Sequence, residues 1–229
     1  MESSADGRVW LWHHPPADAP DDACLGWLDP PLRDRPAANE MAARVAQRIR
    51  ATGVADGSVA GAVTGVWSSD LRRARQAARP LARALGVAHV QDRALREANF
   101  GAWEGRLWSQ IRAEEPARYA DYMARWQTTA MPGGEAWSQV LARVSTWWAG
   151  LGAGAGARVV VGHGTSLRAL AALLCGWTPE EAVAMHLARG CVACIDRSGK
   201  VGTSWNLHPE SPLGWPGTAT AAPGRPAGA

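Results

Sequence analysis

Short apolar runs alternate with longer amphipathic stretches along most of this chain. Runs of strand length predict β-strands at positions 9–12, 61–67, 87–90, 158–162, 190–196 and 200–206. Helical spacing and helix start and stop signals predict helices at positions 39–51, 71–85, 104–126 (in pieces), 135–151, 166–175 and from 178 onward. Strands that alternate with helices predict an α/β fold, a three-layer α/β/α sandwich with a mostly parallel central sheet.

Two of the helices have clear local signals. Met41, Val45 and Ile49 recur at four-residue spacing, which gives the first helix one apolar face. The polar cluster at 68–70 precedes the second helix, and its short side chains are good N-cap residues. Gly86 is expected to end that helix, because glycine readily adopts the left-handed conformation that terminates many helices. These signals place each helix between two predicted strands.

The composition is that of a globular protein and excludes several broad classes. The chain has 229 residues, 47% of them hydrophobic and 20% charged, which is enough for one large core. We expect one domain over residues 1–208 and a disordered tail over residues 209–229, where Pro, Gly, Ala and Thr predominate. No apolar run reaches the roughly 18 residues of a membrane span. The first residues lack the basic start and apolar stretch of a signal peptide, so we expect a cytoplasmic protein.

Charge and cysteine spacing add two further exclusions. The 24 basic and 21 acidic residues give a net charge of +3, which is too balanced for nucleic acid as a main partner. Cys191 and Cys194 have the C-x-x-C spacing of redox and zinc sites, but they fall in a predicted strand. Residues three apart on a strand point to opposite faces, so we expect neither a redox pair nor a zinc site there.

Candidate catalytic residues follow the predicted strands directly. His13 and His14 come after the first strand, and His163 comes after the valine-rich strand. In parallel sheets, ligands bind beyond the carboxyl ends of the strands, so we expect these imidazoles to meet at one edge. Arg73 lies at the start of the helix after another strand, and Glu97 lies in a later loop. A nucleophilic imidazole, a guanidinium and a carboxylic acid together suit phosphoryl transfer.

The same residues stand in motifs that resemble those of the histidine phosphatase superfamily, which has the phosphoglycerate-mutase-like fold. The opening Leu11-Trp-His-His-Pro-Pro16 is similar to the family's R-H-G motif and closer to the R-H-P variant of alpha-ribazole-phosphatase-like members. Further segments match in family order: the stretch 23–32 downstream of the first motif, the S-S-x-L-x-R-A motif at 68–74, the acid segment 95–105, a substrate-side loop at 132–135 and the second histidine motif at 161–164.

The resemblance implies a single histidine-phosphatase-like domain over residues 1–208, with a helical cap insertion at about 102–134. It implies a phosphomonoesterase that acts through a phosphohistidine intermediate on a small phosphorylated metabolite. Alpha-ribazole 5′-phosphate is the best single candidate for the substrate, and this choice rests only on the R-H-P-like pattern. Neither a metal nor another cofactor is implied, no nucleic acid or membrane partner is expected, and a homodimer is left open.

The resemblance also assigns a role to each candidate residue. His14 would be the nucleophile that carries the phosphoryl group. Arg73, His163 and His13 would hold the phosphoryl oxygens. Glu97 would protonate the leaving oxygen, and water would then hydrolyse the phosphoenzyme.

The first motif departs from the family pattern, because its usual arginine is absent. If His14 is the nucleophile, His13 replaces the arginine; if His13 is the nucleophile, Trp12 replaces it. We prefer the first register, which reproduces the His-Pro-Pro sequence. Losing one charge-assisted hydrogen bond to the phosphoryl group costs about 1.5–3 kcal/mol, or roughly 10–150-fold in rate. We therefore expect reduced activity, with His13 helping only when its imidazole is charged and with little net shift of its pKa.

Three other functions remain open at this point. A non-catalytic relative that binds a phosphate ligand would explain the missing arginine. A mutase must hold a phosphorylated intermediate and shield it from water, and the segment 105–132 is short and contains no lysine. A metal hydrolase could use His13, His14 and His163 as ligands, although adjacent histidines rarely bind one metal with good geometry.

Overall fold

The computed structural model describes residues 7–55, 63–152, 156–196 and 199–206, and the predicted tail at 209–229 lies outside these ranges. The strands described are β1 Val9–His13, β2 Val63–Ser68, β3 His89–Gln91, β4 Ala157–Gly162, β5 Cys191–Ile195 and β6 Val201–Asn206. The α-helices are α1 Arg35–Ala55, α2 Arg72–Leu85, α3 Trp108–Glu114, α4 Pro116–Arg125, α5 Trp137–Gly150, α6 Gly164–Cys175 and α7 Pro179–Ala184. Each predicted strand and helix has a counterpart among them. No helix in these ranges combines the length and the apolarity needed to cross a membrane.

The strands form one sheet in the order β3-β2-β4-β1-β5-β6. The first four strands in chain order pair parallel with one another, while β5 pairs antiparallel with both β1 and β6. The predicted mostly parallel sheet is thus confirmed. β1 lies beside β4 with His13 opposite Gly162. The residues that follow these two strands, His14 and His163, therefore leave the sheet side by side.

Alternate side chains of β1 pack against opposite faces of the sheet. Trp10 and Trp12 pack into one core together with α2 and the predicted apolar face of α1. Val9 and Leu11 pack into a second core on the other face, together with α5 and α6. Successive side chains of a strand point to opposite faces, so one strand contributes to both cores. Helices cover both faces of the sheet, which confirms the three-layer α/β/α architecture.

The starts of α1 and α2 differ from the predictions for reasons that the structure shows. α1 begins several residues early, and Pro36 suits its first turn because the N–H that proline lacks would have no helical partner there. The N-cap residue of α2 is Leu71, without a side-chain cap, so the prediction that the cluster 68–70 caps this helix is wrong. The backbone N–H of Arg72 instead donates to the carboxylate of Asp29 at 2.5 Å. This contact comes from a distant loop, which local sequence does not reveal.

The C-x-x-C pair lies in β5, and its two side chains point away from each other as predicted. Cys191 belongs to the core beneath α5 and α6, and Cys194 belongs to the core beneath α1 and α2. None of the four cysteines of the chain, all of which lie in described ranges, forms a disulfide. The sheet separates the two β5 thiols, so they cannot bind one zinc ion or form a redox pair with each other.

A cluster of aromatic side chains joins α3 and α4 to the loop before them. α4 begins at Pro116, as the predicted break at that residue requires. Trp108 of α3 meets Phe100 and Trp103 edge to face, with ring centroids 5.2 and 5.9 Å apart. Such pairs are favourable beyond the area that they bury. The cluster fixes Phe100 and Trp108, which both face the pocket described next.

Candidate active site

The five predicted site residues come together at the carboxyl edge of the parallel strands. His13, His14, Arg73, Glu97 and His163 all line one pocket of about 130 Å³. β1 and β4 end side by side and deliver the three histidines. α2 starts beyond the end of β2, and the loop after β3 carries the glutamate. The topology of the sheet thus gathers residues that are far apart in sequence.

His14 is buried, and a neighbouring carbonyl fixes its tautomer. Its Nδ1 lies 2.6 Å from the carbonyl oxygen of Pro15, which can only accept, so Nδ1 carries the proton. The lone pair is then on Nε2, which accepts a hydrogen bond from Nε of Arg73 at 3.2 Å. Burial, the adjoining His13 imidazole and the positive charge of Arg73 hold the pKa of His14 well below its ordinary value. The imidazole is therefore neutral near pH 7, and its Nε2 can act as a nucleophile.

Arg73 brings a buried and oriented guanidinium to the nucleophile. Besides its bond to His14, it donates to the backbone carbonyls of Leu28 at 2.5 Å and Gly26 at 2.7 Å. Burial lowers its pKa to about 10, so the side chain stays protonated at neutral pH. Its hydrogen-bond partners among the described residues are uncharged. The positive charge of Arg73 is therefore available to an anion in the pocket.

His163 is fully buried, yet neither of its ring nitrogens has a hydrogen-bond partner among the described residues. Its ring centroid lies 4.9 Å from that of His14. Burial and the charge of Arg73 hold its pKa well below the ordinary value, so the ring is neutral and has one N–H donor. A buried donor without a partner costs about 1–3 kcal/mol. A phosphoryl oxygen in the pocket would accept this hydrogen bond and remove that penalty.

Two backbone N–H groups hold the carboxyl group of Glu97. Its Oε1 accepts from Ala98 at 2.8 Å and from Thr165, in the first turn of α6, at 3.0 Å. Its Oε2 faces the side of Gly164, where an added Cβ would lie 3.1 Å from Nη1 of Arg168, 3.6 Å from this oxygen and 3.7 Å from Cε1 of His13. The missing side chain at Gly164 thus lets the Arg168 guanidinium, the carboxyl group and the His13 ring lie close together.

A partly buried ion pair supports the loop that carries Glu97. Arg143 of α5 lies 2.9 Å from the carboxylate of Glu135 and donates to the carbonyls of Ala94 at 2.5 Å and Glu97 at 2.9 Å. Glu135 also accepts from the backbone N–H of Asn99 at 2.8 Å. The motif resemblance assigns the loop that ends at Glu135 to the substrate side. That assignment stays a prediction; in the structure, the glutamate of this loop positions the acid-bearing loop.

His13 lies in the pocket as a neutral ring. Its Nδ1 lies 2.9 Å from the carbonyl oxygen of Leu187, so this nitrogen carries the proton. Burial lowers its pKa to about 3, and the charges of Arg189, Arg168 and Arg73 reinforce the effect, while the Leu187 carbonyl opposes it. The expectation of little net shift in the pKa of His13 is therefore wrong for the pocket without a phosphate, because lost hydration and cationic neighbours outweigh one favourable contact.

Several residues of the pocket were not predicted from the sequence. They are Leu25, Phe100, Trp108, Thr165 and Arg189. Arg189 lies two residues before β5, and β5 runs antiparallel to β1. The amino end of β5 therefore lies at the carboxyl edge of its neighbour, beside the histidines. A search for polar residues before an antiparallel strand, as well as after parallel ones, would have found Arg189.

The arrangement suits phosphoryl transfer. A neutral imidazole with a lone pair meets a guanidinium, a second imidazole and a carboxyl group around one small pocket. Such groups can attack phosphorus, stabilise charge on the phosphoryl oxygens and protonate a leaving oxygen. In the described ranges, no group of three or more His, Cys, Asp or Glu side chains is placed to hold a metal ion. The metal-hydrolase alternative thus finds no support in the geometry of the three histidines.

The chain matches a family model over most of its length and curated proteins over shorter stretches. Residues 9–207 match the model of the histidine phosphatase superfamily (branch 1). A bifunctional protein of Mycobacterium tuberculosis is 38% identical over 97 residues, which cover 42% of this chain but only 26% of that relative's length. A probable phosphoglycerate mutase of Erwinia tasmaniensis is 30% identical over 159 residues, which cover 69% of this chain and 70% of that protein.

Solved structures with a similar fold include two phosphatases. A mycobacterial glucosyl-3-phosphoglycerate phosphatase superposes with a TM-score of 0.71 and 25% identity, over 87% of this chain and 98% of that chain. The alpha-ribazole phosphatase from Shigella flexneri superposes with a TM-score of 0.66 and 24% identity, over 85% of this chain and 93% of that chain. Both likenesses extend over nearly the whole of the other protein, so they concern the complete fold.

Proposed function

The chain belongs to the histidine phosphatase superfamily (branch 1), and on that premise we propose that it is a phosphomonoesterase that acts through a phosphohistidine on His14. The observation that carries the proposal is the state of this imidazole. Its Nδ1 is bonded to a backbone carbonyl, and its Nε2 lone pair meets the Arg73 guanidinium inside the pocket. Such an imidazole is prepared to attack phosphorus, and the guanidinium is prepared to bind the oxygens of the same phosphoryl group.

In the first step, phosphoryl oxygens of the ester bind Arg73 and the N–H of His163. Nε of Arg73 transfers its hydrogen bond from His14 to a phosphoryl oxygen, which frees the lone pair of Nε2. Nε2 attacks phosphorus, the bond from phosphorus to the leaving oxygen breaks, and the proton of Glu97 passes to that oxygen. The products are an alcohol and a phosphohistidine whose Nδ1 still donates to Pro15.

In the second step, water hydrolyses the phosphohistidine. Glu97, now a carboxylate, takes a proton from the water molecule while the water oxygen attacks phosphorus. The bond from phosphorus to Nε2 breaks and inorganic phosphate leaves. The lone pair returns to Nε2, and Nδ1 has kept its proton throughout. His14 therefore needs no proton transfer of its own during the cycle.

The lining of the pocket supports a small ester with an apolar or aromatic leaving group. Leu25, Phe100 and Trp108 lie among the polar residues of the lining. Side chains of this kind bind heterocycles by stacking and by apolar contact. We therefore propose a small phosphorylated metabolite as substrate, with alpha-ribazole 5′-phosphate as the specific candidate. The His-Pro-Pro sequence and the likeness to the fold of the Shigella flexneri enzyme support that choice.

Mutase activity is the second candidate, because a probable phosphoglycerate mutase is among the relatives. A mutase returns the phosphoryl group of the phosphohistidine to the substrate instead of to water. The two activities differ in their products from 3-phosphoglycerate. A phosphatase releases inorganic phosphate, whereas a mutase primed with bisphosphoglycerate forms 2-phosphoglycerate without releasing phosphate.

A screen of small phosphate esters tests the proposed function. The wild type, His14→Ala and the control His186→Ala, whose histidine is exposed, are incubated with p-nitrophenyl phosphate, alpha-ribazole 5′-phosphate and 3-phosphoglycerate. We expect the wild type and the control to release phosphate and His14→Ala to release none. A wild type no faster than His14→Ala on every ester would contradict the proposal. Binding of inorganic phosphate by such a protein would identify a non-catalytic relative.

The remaining proposals concern organisation and compartment. We propose that the segment at about 102–134 forms a helical cap of a single domain over residues 1–208, since Trp108 of this segment lines the pocket. We also propose a cytoplasmic protein. The absence of disulfides among its four cysteines favours a reducing compartment.

A further inference from the structure

Arg189 lies in the pocket, and neither the sequence motifs nor the proposed mechanism assigns it a role. The next residue, Gly190, donates its backbone N–H to the carbonyls of His13 at 3.0 Å and His14 at 3.3 Å. The backbone beside Arg189 is therefore fixed against the segment that carries the nucleophile. Its side chain starts from a defined position next to the histidines.

The guanidinium of Arg189 is only weakly engaged by the protein. One terminal nitrogen donates to the backbone carbonyl of Asp21 at 3.3 Å. Its shortest distance to the Asp21 carboxylate is 3.7 Å, which is longer than a hydrogen bond. The same carboxylate oxygen already accepts a hydrogen bond of 2.8 Å from Arg33. Most of the donors of Arg189 can therefore turn to an anion in the pocket.

His13 lacks what the missing arginine would provide at this place. Its Nδ1 hydrogen points to the carbonyl of Leu187, so its Nε2 is an acceptor. A phosphoryl oxygen is also an acceptor, and the two cannot share a hydrogen bond. Among the charged neighbours of His13, Arg189 does most to lower the pKa of its imidazole. Of the neighbouring charges, that of Arg189 thus acts most strongly on the position where the family pattern has its arginine.

We propose that Arg189 is the second guanidinium that binds the phosphoryl group, and that it replaces the arginine missing at position 13 from the start of β5. The proposal rests on the proposed phosphatase function. Arg73 and Arg189 would bind phosphoryl oxygens from two different elements, α2 and the loop before β5. When the ligand binds, Arg189 exchanges its long contact with Asp21 for charge-assisted hydrogen bonds, which are stronger than neutral ones.

Single substitutions test the role of Arg189 in binding the phosphoryl group. Arg189→Ala, Arg189→Lys and the matched control Arg33→Ala, which also removes a partner of Asp21, are compared for kcat/KM on p-nitrophenyl phosphate and for inhibition by orthovanadate. We expect Arg189→Ala to lose roughly 10- to 100-fold in kcat/KM and to bind vanadate correspondingly less tightly. Arg189→Lys should recover part of the loss, because lysine keeps the positive charge but lacks the planar guanidinium that can bind two oxygens at once. Arg33→Ala should stay within about threefold of the wild type.

His13→Arg tests the replacement itself. It is introduced into the wild type and into Arg189→Ala, and thermal unfolding confirms that each variant is folded. If one arginine substitutes for the other, His13→Arg should raise kcat/KM much more in Arg189→Ala than in the wild type. Equal factors in both backgrounds would mean that the two positions act independently, and the replacement would be refuted. Should His13→Arg fail to fold, the single substitutions at Arg189 still decide whether it binds the phosphoryl group.

Two further outcomes separate this proposal from the proposed function. If Arg189→Ala leaves p-nitrophenyl phosphate and vanadate unaffected but weakens 3-phosphoglycerate, the residue binds a carboxylate of the leaving group and the proposal is wrong. If the wild type hydrolyses no ester, titration calorimetry with inorganic phosphate takes the place of kinetics. Weaker binding by Arg189→Ala but not by Arg33→Ala would then support the proposal although the phosphatase function had failed. Equal binding by all three proteins would refute both.

Discussion

Replacing Glu97 by glutamine removes a proton while keeping the contacts that hold the side chain. In Glu97→Gln, the amide oxygen can still accept from the backbone N–H groups of Ala98 and Thr165, which lie 2.8 and 3.0 Å from Oε1. The amide nitrogen takes the place of Oε2, whose contact with the N–H of Thr165 is the longer one at 3.4 Å. We therefore expect a folded protein with an intact pocket and no general acid.

The size of the effect depends on the leaving group. A positioned general acid contributes about 10²–10⁴-fold when the leaving oxygen needs a proton. Glu97→Gln should slow phosphoryl transfer from an alkyl phosphate by that factor, which corresponds to about 3–5 kcal/mol of lost transition-state stabilisation. p-Nitrophenolate leaves readily without a proton, so the same transfer from p-nitrophenyl phosphate should slow by less than about tenfold.

The assay must observe the first step, because both substrates share the hydrolysis of the phosphohistidine. Rapid-quench measurement of alcohol or nitrophenol in a single turnover isolates that step. Glu104→Gln is a matched control: Oε1 of Glu104 also accepts from two backbone N–H groups, those of Trp27 and Phe100, and the Glu104 side chain does not line the pocket. The control should affect both esters equally. Equal slowing of both esters by Glu97→Gln would remove this residue from the acid role.

Three further results are expected. Brief incubation with a labelled phosphoester should trap an acid-labile phosphohistidine that His14→Ala abolishes and His13→Ala only weakens, and the opposite pattern would make His13 the nucleophile. Gly164→Ala places a methyl carbon 3.1 Å from Nη1 of Arg168 and 3.6 Å from Oε2 of Glu97, so the groups around Glu97 must shift and kcat/KM should fall more than about tenfold in a folded protein, and unchanged kinetics would disprove the need for glycine there. The pKa values of His14 and His163 are lowered in the folded state, so the unfolded chain binds more protons and stability is lost as the pH falls below about 6.5. Each histidine contributes up to about 1.4 kcal/mol per pH unit, so His163→Gln should flatten the decline in urea-unfolding free energy between about pH 7 and 5, and an unchanged slope would speak against its buried neutral state.

The order and type of the main elements could be predicted because their apolar patterns are strong. The side chains of β4 are mostly valines, which are buried on both faces of the sheet. The apolar face of α1 packs into the same core as Trp10 and Trp12 of β1. Helix ends were less predictable where a distant residue decides them. The first N–H group of α2, that of Arg72, donates to the carboxylate of Asp29 instead of to a side chain of the preceding cluster. Such a contact depends on how a loop returns to the sheet, which local periodicity does not encode.

Residue types of the site could be predicted, but their protonation and their supporting contacts could not. The histidines follow neighbouring strands, and that placement can be inferred from the sequence. The neutral state of His13 depends on burial and on the nearby charges of Arg189, Arg168 and Arg73, which only the folded chain brings to it. The presence of Arg189 in the pocket depends on the direction of β5, and apolar patterning does not distinguish an antiparallel strand from a parallel one.

Two consecutive prolines after His14 restrict the backbone beside the nucleophile, so little conformational entropy is lost when the carbonyl of Pro15 is oriented. The ring of Pro15 fixes its own φ, and the ring of Pro16 restricts the ψ of Pro15 to extended values. The carbonyl that receives the Nδ1 hydrogen at 2.6 Å is therefore directed before the rest of the chain folds. A well-placed proline typically adds about 0.4–1 kcal/mol of stability in this way. The tautomer of the nucleophile is thus a local property of the His-Pro-Pro tripeptide, so the residues around it can vary during evolution while the imidazole keeps its orientation.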